Sequence, residues 1–154
     1  MSNTSFNFLT DYFVTQLENS SIDLLDTDIS VRLVATNHSK NGNNLLTEYD
    51  YDVNKLSEDF LLSDKLLLEN KKILPNGVFD ADDCKFLKPL KDNLNYKIIA
   101  IIGIEEKTQK IIFVIQNSNG LPCYINGGNI EITWDNCSNR IFQDDLLIPP
   151  VRQE

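Results

Sequence analysis

At 154 residues, with 42% hydrophobic and 24% charged side chains, the chain fits one domain that buries roughly 70% of its unfolded surface. Such a composition argues against global disorder and against any need for a metal or disulfide staple. The net charge of -9 and pI near 4.5 repel phosphate backbones and anionic lipid, which disfavours nucleic acid but leaves a basic protein partner open.

The start, "MSNTSFNFLTDYF", lacks the basic, apolar and small-residue segments of a secretory signal. A cytoplasmic location is expected unless a signal has been removed. Next, Phe6, Leu9, Phe13 and Leu17 approximate helical spacing, whereas "YFVTQ" is rich in strand formers. The preferred reading is a short strand over 12–17 followed by a loop, with 1–11 a loose end. "ISVRLVA" alternates cleanly, Ile29, Val31 and Leu33 against Ser30 and Arg32, as a half-buried strand does. "TNHSKNGNN" is an exposed loop of turn-tolerant residues.

The segment 45–73 is the best helix candidate. Val53, Leu56, Phe60, Leu66 and Leu67 fall near one stripe, with Glu58, Asp59, Lys65 and Glu69 outside it. Ser63 offers a cap that would end a first helix early. After the Pro75-Asn76-Gly77 turn, "VFDADDCKFLKPL" has no clear period, and Pro89 argues against a central strand there. "YKIIAIIGI" and "KIIFVIQ" read as a hairpin at the centre of the core, the first strand apolar on both faces and hence covered on each side. The longest apolar run, 98–104, is far shorter than the roughly 20 residues of a membrane-spanning helix.

"LPCYI", "NIEITW" and "RIF" complete the strand set, and the two prolines of "LIPPVRQE" make 143–154 a loose strap. Many short strands, turns and one helical insertion predict a mainly β, single-domain β-sandwich.

Little in the chain suggests catalysis. Asp80, Asp82 and Asp83 lack the spacing, the glycine and the distal glutamate of a calcium loop. His38 stands in a glycine and asparagine loop without a partner. Cys84, Cys123 and Cys137 show no zinc spacing and read as buried thiols; a Cys123 to Cys137 bridge requires an oxidising compartment. Trp134 shares the Ile130 and Ile132 face and so reads as core, and Asn126 to Gly128 is a turn too short for a phosphate loop. No enzyme activity, metal or cofactor is expected.

The loop "NSSIDLLDTD" differs, because it sets apolar side chains beside acids. Ser21, Ile22, Asp23, Leu24, Leu25 and Asp26 form the candidate partner-binding rim. The competing reading is that the leucines tuck back into the core or extend a strand.

Taken in order, "ISVRLVA", "YDYDVNKLSEDFL" leading into helix, "KKILPNG", "NYKIIAIIGI" with "KIIFVI", and "NIEITWDNCSNRI" resemble TssJ, the outer-membrane lipoprotein of bacterial type VI secretion systems. The resemblance covers about 29–141. It implies a transthyretin-like β-sandwich with a helical addition, held on the periplasmic side of the outer membrane by a lipid anchor upstream of this segment. The protein would then be a structural adaptor binding the periplasmic region of a TssM-like inner-membrane component. The loop between the first two strands would carry the partner contact, and "NSSIDLLDTD" aligns with it. The sequence shows neither a lipobox cysteine nor a lipoprotein signal. The alternative is an acidic immunity or antitoxin-type protein that masks a basic toxin, which the charge of -9 favours.

Overall fold

The computed structural model describes residues 7–19, 23–36, 60–87, 97–115, 123–124, 129–134, 141–144 and 147. The first element is strand β1 (Asn7–Leu9), paired antiparallel with a later strand, so the stretch expected to be loose up to residue 11 is ordered from Asn7. Helix α1 (Asp11–Glu18) follows and corrects the strand expected over 12–17. Its start is set by Thr10, whose hydroxyl accepts the Phe13 N–H at 3.3 Å while donating to the Ile111 carbonyl at 2.9 Å. Asp11 adds a carboxylate in the first turn, where the helix dipole favours it. Phe13 is buried completely. Capping and one anchoring side chain outweigh the strand preference of "YFVTQ".

Strand β2 (Ile29–Thr36) forms as expected, with Ile29, Val31 and Leu33 in the core. The expected helix over 45–73 does not form in its described part. Residues 60–73 instead supply β3 (Phe60–Leu62), β4 (Leu66–Leu67) and β5 (Lys72–Ile73), while Val53, Leu56, Glu58 and Asp59 lie outside the described residues. Ser63, read above as a helix cap, is the splice between β3 and β4. Its N–H donates to the Leu33 carbonyl at 3.0 Å and its hydroxyl accepts the Leu33 N–H at 2.9 Å. The side chain thus stands in for a missing ladder group along β2, and long-range pairing overrides the local helical pattern.

At the expected Pro turn, Gly77 has φ 83° and donates to the Leu74 carbonyl at 2.9 Å. That left-handed conformation is one glycine adopts without steric cost. The irregular stretch after it holds two short strands, β6 (Val78–Asp80) and β7 (Cys84–Phe86). Strands β8 (Lys97–Glu105) and β9 (Lys110–Ile115) form the expected hairpin, and β8 is buried at every position after Lys97. The remaining strands are β10 (Cys123–Tyr124), β11 (Ile130–Ile132) and β12 (Phe142–Gln143). Gln143 therefore pairs, where a loose strap was expected.

The described residues are mainly β, with three antiparallel sheets and one short helix. The large sheet runs β1-β9-β8-β2-β3, with β10 added to β8 and β4 to β2; β11-β7 and β12-β6-β5 form the others. One hydrophobic cluster takes Leu33, Ile101 and Phe113 from the large sheet, Phe79 and Phe142 from the second, Phe86 and Ile132 from the third, and Phe13 from α1. This packing of sheets over a shared core is consistent with the β-sandwich. Tyr12 ties α1 to the sheet end by donating to Glu105 Oε1 at 2.6 Å, and Thr108 donates to the same oxygen at 2.6 Å. Burial, then this bond to Glu105, raises the Tyr12 pKa.

Between β8 and β9 the register shifts after Gly103, which faces Phe113. A Cβ added to Gly103 would overlap the Phe113 ring, reaching 2.6 Å from Cδ2 and closer still to two other carbons. Phe113 is buried in the core cluster, so the ring can yield only by displacing its neighbours. Gly103→Ala is therefore expected to cost about 1–3 kcal/mol, as overpacked cores do. Chemical denaturation checks this, and an unchanged midpoint would mean the ring moves freely.

Candidate functional site

Of the candidate rim, Ser21 and Ile22 lie outside the described residues, while Asp23 to Asp26 form a turn. Asp23 builds it. Its Oδ1 accepts the Leu25 N–H at 3.1 Å and the Asp26 N–H at 3.4 Å, and its carbonyl accepts the Asp26 and Thr27 N–H groups at 3.1 and 2.8 Å. An aspartate that caps its own turn in this way is a common local device. The turn is also fixed from outside, since Lys71 Nζ donates to the Thr27 carbonyl and Glu106 N–H to the Asp28 carbonyl.

The two leucines part company here. Leu24 is 4% exposed and belongs to the core, which corrects the expectation of an apolar rim at that residue; Leu25 is 48% exposed between the exposed Asp23 and Asp26. A turn this tight cannot aim two adjacent side chains the same way. Only Leu25, Asp23 and Asp26 are presented outward.

Below the turn, Glu106 holds the end of the sheet together. Its carboxylate accepts the Ser30 hydroxyl at 2.6 Å and Lys65 Nζ at 2.5 Å, tying β2 and the β4 approach to the β8–β9 turn. Burial alone would raise this carboxyl, but the donors from Lys65 and Ser30 and the Lys65 charge outweigh it and hold the pKa below the usual glutamate value. A carboxyl depressed in the folded state contributes stability that is complete above its unfolded pKa and lost as pH falls through the folded value. Glu106→Gln should thus flatten the acid limb of the stability curve below about pH 4.5. Denaturation midpoints at pH 7 and pH 3 decide it: an acid loss as large in the variant as in the parent would assign that limb to other groups.

The other expectations divide. Asp80 faces Lys72 at 3.7 Å, Asp82 accepts from Asn70 at 2.5 Å, and Asp83 accepts the Trp134 N–H at 2.9 Å. The "DADD" carboxylates point to three different partners rather than one centre. Among the described residues no cluster of three or more His, Cys, Asp or Glu could hold a metal ion. Cys84 is a buried free thiol, and burial pushes its pKa up to about 11, which suppresses the nucleophilic thiolate. Trp134 is buried in the core cluster as expected. Its indole Nε1 has no full hydrogen-bond partner, and its interaction with the Cys84 sulfur is at most a weak polar contact. His38, Cys137 and Asn126 to Gly128 lie outside the described residues, as does the side chain of Cys123. No helix among the described residues is long and apolar enough to cross a membrane.

Reading the sequence missed a second feature, a cleft of 510 Å³ between β4 and β7, lined by Leu66, Leu67, Asp83 and Cys84 among others. Leu67 is 51% and Leu87 72% exposed. The signal was present in "LLL" at 66–68, because three successive leucines on a strand cannot all face one core. No protein-family model matches the chain, and neither a curated protein nor a solved structure matches it.

Proposed function

We propose that the protein is a non-enzymatic adaptor that binds another protein through the 23–27 turn. The observation carrying this reading is Leu25, an exposed apolar side chain beside the exposed Asp23 and Asp26 on a turn capped by Asp23 and braced from outside by Lys71 and Glu106. Rigid presentation lowers the ordering cost of association, and an apolar anchor inside a polar rim is how protein interfaces are built.

In its finer form the partner is the periplasmic region of a TssM-like inner-membrane component of a type VI secretion system. Support for that identity is the order of sequence segments described above, with "ISVRLVA" and the late hairpin the strongest of them. The helix implied after "YDYDVNKLSEDFL" is absent from 60–73, where strands stand instead. The adaptor reading does not depend on that segment.

Titration of the purified chain with the periplasmic region of the TssM-like component tests both levels. Leu25→Asp is expected to weaken binding at least tenfold while leaving the melting temperature unchanged. Wild-type affinity in that variant would remove the turn from the interface, and absence of any binding by the parent chain would sink the secretion partner. The acidic-inhibitor reading rests on the charge of -9 and predicts an affinity for a basic partner that falls steeply with salt.

A further inference from the structure

We infer that the cleft between β4 and β7 accepts an extended, basic segment of a protein partner as an added strand. Among the described residues β4 pairs with β2 and β7 with β11. Each therefore has one edge without a strand partner among the described residues. The cleft is lined by Leu66 and Leu67 from one strand and by Cys84 and Lys85 from the other. Successive side chains of a strand point to opposite faces, so a cleft touching both members of each pair runs along the edges, not over a face.

The main chain agrees with this placement. Leu68 N–H donates to the Ile29 carbonyl at 2.8 Å, which turns Leu66 and Leu68 toward β2 and leaves the Leu67 N–H and C=O directed outward. Such an edge pairs readily with an incoming extended chain. The segments that carry the two strands are tied where Asp82 N–H donates to the Glu69 carbonyl at 2.9 Å and Asn70 Nδ2 to the Asp82 carboxylate at 2.5 Å. Among the described residues β4 and β7 form no ladder with each other. The volume of 510 Å³ lies within the ~300–1,000 Å³ of ligand clefts.

Charge selects the occupant. Glu69, Asp82, Asp83, Lys65 and Lys85 line the cleft, but Lys65 is already neutralised by Glu106. Among the described residues, Asp82 and Asp83 accept from neutral donors, the Asn70 amide and the Trp134 main-chain N–H. Among the described lining residues three carboxylates thus stand against one lysine, on a chain of net charge -9. Leu66 and the exposed Leu67 add apolar surface to the same lining. A strand alternating basic and apolar residues satisfies both features, whereas an acidic strand would be repelled. None of the lining residues belongs to the 23–27 turn, so this is a second site, independent of the one proposed above.

The test uses the full chain and two end-capped hexapeptides, one alternating Lys and Val, the other Glu and Val. The basic peptide is expected to bind at least tenfold more tightly and to move the Leu67 and Lys85 amide resonances. Leu67→Pro removes the outward N–H without breaking the ladder to β2 and should weaken binding at least tenfold. Glu69→Gln tests charge without touching the backbone and should reduce both the affinity and its salt dependence. Leu25→Asp should leave peptide affinity unchanged, which separates this site from the turn. Equal affinity for the acidic peptide would overturn the proposal, as would resonance changes confined to other residues. So would a concentration-dependent dimer abolished by Leu67→Pro, which would give the cleft to a second copy of this chain.

Discussion

Phe142→Ala is expected to lower the unfolding free energy by about 3–5 kcal/mol, a large share of the ~5–15 kcal/mol typical of a domain this size. Phe142 lies in β12, a strand of two residues whose ladder to β6 pairs only Phe142 with Phe79 and Gln143 with Val78. Backbone pairing that short holds little by itself. The ring does more: it stacks on Phe79 at 5.1 Å, meets Phe13 edge-on at 5.5 Å and 86°, and contacts Phe113 at 5.7 Å. Those three rings belong to a small sheet, the helix and the large sheet, so one side chain joins three elements. Truncation would leave a cavity bounded by rings that cannot all collapse into it, and the cost would combine lost transfer energy with lost contacts. Phe142→Leu keeps much of the volume and should cost less than half as much. Urea denaturation with an unchanged slope measures both, and a shift below about 1 kcal/mol for the alanine variant would show that β12 is peripheral to the core.

What was legible in the sequence follows from how each element is stabilised. The β8–β9 hairpin was readable because burial on both faces leaves a continuous apolar run, and β2 because its core face alternates. Helix α1 was missed because only Phe13 is fully buried on it, so the apolar period is faint, and its decisive signal is the cap Thr10, two residues before the strand expected over 12–17. Strands β3 and β4 escape a local reading because their register is set on β2, where the Leu33 main chain bonds Ser63 from thirty residues away in sequence. No local window contains that contact. The cleft was hidden for a related reason: it exists only where β4 and β7 come together through Glu69 and Asp82. The site turn was half legible. Apolar residues among acids marked 23–26 as unusual, but the division of labour between Leu24 and Leu25 depends on hydrogen bonds centred on Asp23.

That division yields the sharpest contrast between neighbouring substitutions. Leu24→Asp should destabilise the protein by more than about 4 kcal/mol, since it deletes a core leucine and places a carboxylate in the hydrophobic cluster. Leu24 is 4% exposed, whereas Leu25 next to it is 48% exposed, so Leu25→Asp should change stability by no more than about 0.5 kcal/mol. Both variants would lose partner binding, for different reasons: the first because the turn is no longer held against the core, the second because the apolar anchor is gone. Thermal denaturation followed by circular dichroism separates them. A melting temperature for Leu24→Asp within a degree of the parent would mean that this leucine is not part of the core. A collapse in Leu25→Asp would mean that the turn serves the fold and presents nothing to a partner.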